Sequence, residues 1–328
     1  LRYNIIIFLR IEDKIMNAPV KILNDIVKNV EYVIVGKRNI IELALISMIC
    51  NGHVLIEDVP GVGKTSLVSA LAKSVNASFR RIQFTPDVLP SDITGFSIYN
   101  QKTCEFEYRS GAVMSQILLA DEINRTSPKT QASLLEVMEE NQVTVDGVTY
   151  KVPKPFMVLA TQNPVEYIGT YPLPEAQIDR FFMKITLGYP TLSEECSILS
   201  KYQLSNPLEQ LQPVADSSHI IELQEEVKKI HVDKSLENYI VEIVSQTRRH
   251  NDVILGSSPR GSLTLFRAAQ AWALYNEREY VIPDDIKKMI VPVLSHRLIL
   301  KQEARLKKVS TEDILSLIVS SVKVPIIS

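Results

Sequence analysis

One stretch constrains this chain more than any other: "HVLIEDVPGVGKTSL", residues 53–67. An apolar strand runs into a glycine-rich turn, which passes through Lys64 and Thr65 into a helical pattern. That order aims backbone N–H groups and a helix N-terminus at one point, which suits a phosphate. The candidate nucleotide-binding set is Pro60, Gly61, Val62, Gly63, Lys64, Thr65 and Ser66. In such a loop the lysine serves the β and γ phosphates and the Thr hydroxyl binds Mg²⁺. The usual pattern has glycine where this chain has Asp58. A carboxylate facing a triphosphate would repel it, so the Asp58 side chain is expected to turn away. The plainer alternative is a glycine-rich strand–helix turn with an exposed lysine.

The rest of the chain alternates between elements. Helices are expected over 17–34, 38–50, 64–75 and 128–140, the last capped by Ser127-Pro128. Strands are expected over 53–57, 79–84, 116–120, 156–163 and 180–187. Residues 95–109 read as two short strands around a polar turn, and 143–152 as a hairpin about Asp146-Gly147. Continuous apolar runs such as "QILLA" and "FMVLA" suit strands buried on both faces, hence a parallel α/β sheet. Beyond a boundary near Tyr189 the signals are helical only, with a polar loop near 205–218.

Further groups complete a candidate site. Asp121 and Glu122 end a buried strand, where one carboxylate can hold a metal and the next can orient water. Two solvated acids opening a loop are the alternative, disfavoured if the glycine-rich loop lies on a neighbouring parallel strand. Asn163 ends the following strand and can bond water or a phosphate, or simply open the turn before Pro164. Arg180 and Arg260 are candidates for the positive charge that phosphoryl transfer needs, or surface ion-pair partners. Arg125, just before a helix, is a candidate interface cation or a solvent-exposed one.

Composition narrows the class. The chain has 328 residues, 45% hydrophobic and 23% charged, enough to bury a sizeable core. A formal net charge of −2 gives no footprint for nucleic acid or an anionic membrane. Cys50, Cys104 and Cys196 have no metal spacing and form no disulfide framework. No run is long enough to span a membrane, so a cytoplasmic protein is expected. Residues 1–17 are set apart as an N-terminal extension, with Met16 a candidate true start.

In order and spacing, these motifs resemble the MoxR family of AAA+ ATPases over about residues 18–300. The stretches that carry the likeness are "VGKRNIIELAL", "GHVLIEDVPGVGKTSL", "QFTPDVLPSDITGFSIYN", "LLADEINRTSPKTQASLLEVMEE", "VTVDGVTYKVPKPFMVLATQNPVE", "YPLPEAQIDRFF" and "GSSPRG". The resemblance implies a three-layer αβα P-loop core at 18–189 and an all-α lid at 190–328. It implies ATP and Mg²⁺ as cofactors, with Thr65 and Asp121 on the metal. Glu122 becomes the catalytic base, Asn163 sensor 1, Arg180 an arginine finger acting on a neighbouring subunit, and Arg260 sensor 2. Val35 and Gly36 lie where such proteins hold adenine. Residues 95–109 match the helix-2 insert and 143–152 the hairpin before sensor 1; both commonly face substrate or the ring centre. One departure is "RSGAVMSQ", with Gly111 but no following proline at the exit from the insert.

The function implied is ATP hydrolysis in a homo-oligomeric ring, usually a hexamer. The ring would remodel or mature a client protein, often one with a von Willebrand factor A domain. A metal-chelatase ATPase subunit is the near alternative. A DNA motor is disfavoured, because the 143–152 hairpin carries one lysine, Lys151, where strand tracking wants several cations. A non-catalytic nucleotide switch is disfavoured by Glu122, Asn163 and Arg180.

Overall fold

The computed structural model describes residues 21–163, 170–203 and 205–325; the expected extension at 1–17 lies outside them. The first part of the chain runs α1 (21–33), α2 (Arg38–Ile49), β1 (Val54–Glu57), α3 (Lys64–Ser74), β2 (Phe79–Gln83) and α4 (Pro90–Thr94). It continues through β3 (Gly95–Asn100), β4 (Glu105–Ser110), β5 (Ile117–Asp121), α5 (Pro128–Glu140), β6 (Gln142–Val145) and β7 (Val148–Lys151). Then come β8 (Met157–Gln162), α6 (Glu175–Ile178) and β9 (Met183–Ile185).

Five strands form one parallel sheet in the order β2-β5-β8-β1-β9. Alternate side chains of each inner strand enter different apolar clusters. Val54, Ile56, Ile117, Leu119 and Leu159 face the α1–α3 side. Leu55, Leu118, Ala120, Val158 and Ala160 face α5. Covering both faces is why these strands read as unbroken apolar runs, with no polar alternation. Parallel strands also bring their C-terminal ends to one edge, where the glycine-rich loop, Asp121-Glu122 and Asn163 all emerge.

Two details of the sheet differ from expectation. The strands carrying the loop and Asp121 are not neighbours, since β8 lies between them. The last strand is shorter than 180–187: Arg180 and Phe181 belong to the turns after α6, and pairing to β1 covers only Met183–Ile185.

Both projecting hairpins form. β3 and β4 pair antiparallel from Gly95↔Ser110 to Asn100↔Glu105, and β6 pairs β7 around Asp146-Gly147. Tyr108 stacks on Tyr150 with centroids 4.0 Å apart, tying one hairpin to the other. The insert closes without proline. A Cβ on Gly111 would sit 2.2 Å from Ile93 O, so glycine lets the two chain segments touch. Arg80 Nη1 then donates to Gly111 O at 2.7 Å.

The remainder comprises α7 (Leu192–Tyr202), α8 (Pro207–Gln210), α9 (Ser217–Lys229), α10 (Lys234–Arg249), β10 (Val253–Leu255), α11 (Pro259–Tyr275), α12 (Pro283–Leu294), β11 (Ile299–Leu300), α13 (Gln302–Leu306) and α14 (Thr311–Ser321). It is not purely helical: β10 and β11 pair antiparallel. These strands are three and two residues long, too short to leave a periodic signal. The expected polar loop at 205–218 contains the single turn α8, capped by Asn206. Leu223, Ile243 and Leu265 join α1–α3 in one continuous apolar cluster. No helix among the described residues is long and apolar enough to cross a membrane.

Candidate functional site

The loop between β1 and α3 takes the shape its glycines permit. Gly61 and Gly63 have φ of +85° and +93°, and nothing lies within 4 Å of a Cβ added at either. Backbone conformation, not space, therefore demands glycine there. Gly63 is the N-cap of α3, so Lys64 and Thr65 form its first turn and the helix N-terminus points into the cleft.

Asp58 turns away from the loop mouth, as its charge requires. It is buried; Oδ1 accepts the Val59 N–H at 2.8 Å and Oδ2 accepts the Gly188 N–H at 2.7 Å. The carboxylate thus ties the end of β1 to the chain leaving β9. Lys64 Nζ donates to the main-chain carbonyls of Asp58 and Val59 at 2.8 and 3.2 Å.

A cleft of about 390 Å³ joins this loop to Asp121, Glu122 and Asn163. Three groups that the sequence did not single out set its geometry. Thr161 Oγ1 donates to Asp121 Oδ1 at 2.6 Å and accepts the Glu122 N–H at 2.9 Å. Arg81 Nη2 pairs with Asp121 Oδ2 at 2.7 Å and donates to Gln83 at 2.8 Å. Gln83 Nε2 donates to Glu122 Oε2 at 2.8 Å, and Arg125 Nε lies 3.2 Å from the same oxygen. Glu122 itself has φ +58° and ψ +47°, a strained conformation for a residue with a side chain. Asn163 is buried at the end of β8. The available signal was alternation: Arg81 and Gln83 share one face of β2, and Gln83 lies in register with Asp121.

The donor set suits Mg²⁺. Thr65 and Asp121 supply hard oxygens to one cleft, and Mg²⁺ commonly takes one or two protein oxygens plus phosphate and water. No cluster of three or more His, Cys, Asp or Glu that could hold a metal occurs among the described residues.

A second cavity of about 240 Å³ adjoins the loop, sharing Gly61, Gly63 and Ser66. Its wall includes Val35 and Val62, with Ile198 and Tyr202 from α7. Gly36 is not part of that wall. It has φ +74°, which favours glycine whatever the space, and the nearest atoms to a Cβ there belong to the Glu194 side chain of α7.

Arg180 and Arg260 are brought together, but elsewhere. Both pair with Glu139: Arg180 Nη2 lies 3.1 Å from Oε2, and Arg260 Nη2 contacts Oε1. They line a separate cleft of about 270 Å³ with Asn51, Gly52 and His53, which lead into β1. The glycine-rich loop leaves the other end of β1. Four strand residues at about 3.3 Å each separate the two edges by roughly 13 Å. The lining of the loop's cleft includes neither arginine. Asp179 fastens this corner: it accepts from Ser258 Oγ at 2.9 Å and pairs with the buried Arg297 at 2.8 Å. Beside it, His53 is fixed as one tautomer, accepting the Val158 N–H at Nδ1 and donating from Nε2 to Met138 O, both at 3.0 Å. Burial pushes its pKa down to about 4.

Known proteins match along this same framework. The family model "ATPase family associated with various cellular activities (AAA)" matches residues 53–183, and an AAA lid domain model matches 245–318. The chain is 57% identical over 305 residues to the uncharacterized protein YeaC of Bacillus subtilis, covering 93% of this chain and 95% of that one. It is 42% identical over 317 residues to the chaperone MoxR1 of Mycobacterium tuberculosis, covering 94% and 84%. A crystal structure of a candidate ATPase from Cytophaga hutchinsonii superposes with a TM-score of 0.90 at 41% identity, covering 97% and 99%. With a glycine-rich loop and paired acids at one sheet edge, and these likenesses over nearly its whole length, the chain is an ATPase and belongs to the MoxR family of AAA+ ATPases.

Proposed function

We propose that the chain hydrolyses ATP with Mg²⁺ at a site completed by a neighbouring subunit of a ring, and uses the cycle to remodel client proteins. The observation that carries this reading is the separation of Arg180 and Arg260 from the cleft holding Lys64, Glu122 and Asn163. Arginines at one sheet edge and a phosphate loop at the other suit head-to-tail contact, which closes into a ring when the rotation allows. Exposed apolar side chains flank both clefts: Leu192 and Leu199 on α7, which walls the cavity beside the loop, and Leu263 one turn beyond Arg260 on α11. A six-membered ring in the cytoplasm is the form we favour, with the nucleotide core ending near Tyr189.

Within the site, backbone N–H groups of the Gly61–Gly63 turn and Lys64 bind the phosphates. Val35, Val62, Ile198 and Tyr202 give the base an apolar wall. Thr65 and Asp121 would hold Mg²⁺, which when bound neutralises charge on the β and γ phosphates. Glu122 orients the attacking water, and Asn163 holds it or a γ-phosphate oxygen. As the water oxygen bonds to phosphorus, the bond to the ADP oxygen breaks. Arg180 and Arg260 of the adjacent subunit stabilise the charge on the transferring group.

Client action draws support from the chaperone designation of the 42% identical relative and from the two hairpins. Phe96, Tyr99 and Phe106 are exposed on the first, an apolar surface on which a client could be gripped. A partner with a von Willebrand factor A domain is the class we propose. Mixing subunits tests the split site: Lys64→Ala and Arg180→Ala proteins, each inactive alone, should regain turnover together. Mixtures that stay inactive, with rings still forming, would sink it.

A further inference from the structure

Glu139 lies in the last turn of α5, where the helix dipole disfavours a negative side chain. Two guanidinium groups from distant parts of the chain offset that cost. Oε2 takes Arg180, from the turn before β9, and Oε1 takes Arg260, from the first turn of α11. Each carboxylate oxygen serves one arginine, so a single side chain bridges the sheet domain and the helical region. We propose that Glu139 is a positioning residue, which sets the spacing and aim of Arg180 and Arg260 toward the γ-phosphate held by the neighbouring subunit.

The proposal rests on the split-site reading above. Its physical basis is local charge. Arg180, Arg260 and Arg297 line one cleft with Glu139 and Asp179, three cations against two anions. Without Glu139 the two outer guanidinium groups repel each other and lose the partner that makes them converge. With it the cluster keeps one net positive charge, so it still attracts phosphate. A guanidinium has five N–H donors, more than the one carboxylate oxygen that each arginine faces here can accept. Donors therefore remain for phosphate oxygens. Glu139 is 39% exposed, so its replacement leaves the core intact.

The test uses Glu139→Ala and Glu139→Gln in the full chain, with kcat, KM and melting temperature measured. Misaiming charged groups by about 1 Å can cost up to about a hundredfold. Glu139→Ala should lower kcat about ten- to a hundredfold, with KM and melting temperature unchanged, because its own phosphate loop is intact. Glu139→Gln, which keeps the shape and loses the charge, should fall between Ala and the parent. Mixed with Lys64→Ala subunits, whose arginines are intact, Glu139→Ala should recover turnover; an ordinary surface ion pair would give no kcat loss. Unchanged or raised kcat overturns the proposal. So does a defect that Lys64→Ala cannot rescue while it does rescue Arg180→Ala and Arg260→Ala. If neither arginine variant is rescued, the split site itself has failed.

Discussion

Thr161 clamps Asp121 from the adjoining strand: its hydroxyl donates to Asp121 Oδ1 at 2.6 Å. Thr161 Oγ1 in turn accepts the Glu122 N–H at 2.9 Å, so one side chain fixes both acids and the strained turn between them. Thr161→Val keeps the shape and removes both bonds. A buried polar group left without its partner costs about 1–3 kcal/mol. We expect a lower melting temperature and a fall in kcat of about tenfold or more, with nucleotide affinity little changed. A variant with parental kcat would show that the clamp does not matter to turnover.

Lys64 and Glu122 should fail differently. Lys64→Ala removes the cation we assign to the phosphates, so ATP affinity should drop. Glu122→Gln keeps the shape of the side chain and removes the charge we assign to orienting water. It should bind ATP as the parent does and hydrolyse it at least about a hundredfold more slowly. Equilibrium nucleotide binding and single-turnover phosphate release separate these outcomes. Near-normal hydrolysis by either variant contradicts the assignment.

Asp58→Gly restores the usual loop pattern, yet it should harm the protein. The Asp58 carboxylate holds the N–H groups of Val59 and Gly188, and glycine offers neither bond. Losing a charge-assisted bond of this kind costs about 1.5–3 kcal/mol. We expect a melting temperature lower by several degrees and no gain in ATP affinity. Tighter ATP binding by Asp58→Gly would mean that the carboxylate had been opposing phosphate.

His53 makes stability depend on pH. Burial holds it neutral, with a folded pKa of about 4 against an ordinary value of 6.5. The unfolded chain therefore takes up the proton first as pH falls. The contribution is fully present above 6.5 and is lost as pH drops toward 4. Between pH 7 and pH 5 it amounts to about 2 kcal/mol. His296, half-buried and driven well below its ordinary value by desolvation and the adjoining Arg297, acts in the same direction. Urea midpoints at pH 7 and 5 should differ less for His53→Gln than for the parent. Equal differences would remove His53 from the account.

Much of the fold was legible because it is written in local patterns. Apolar runs bounded by turn residues marked the inner strands, Ser127-Pro128 marked the start of α5, and Asp146-Gly147 marked its hairpin. Gly61, Gly63, Lys64 and Thr65 marked the glycine-rich turn from strand to helix, since backbone conformation is set within a few residues. Asp58 was read correctly from charge alone, though its partner Gly188, 130 residues away, could not be. β10 and β11 were missed because strands of two or three residues are created by pairing, not by sequence preference.

What only the tertiary structure decided is who stands beside whom. Strand order inserted β8 between the strand that ends in Asp121 and the strand that leads into the glycine-rich loop, and so delivered Thr161 to Asp121. Pairing of β2 with β5 brought Arg81 and Gln83 to the same acids. Chain direction through the sheet sent Arg180 to the far edge, and packing of α11 put Arg260 on the same carboxylate. Residue types and short spacings follow from the chain itself, because they depend on bonded geometry. Contacts between residues tens of positions apart depend on which faces bury each other, and that is settled only when the whole core closes.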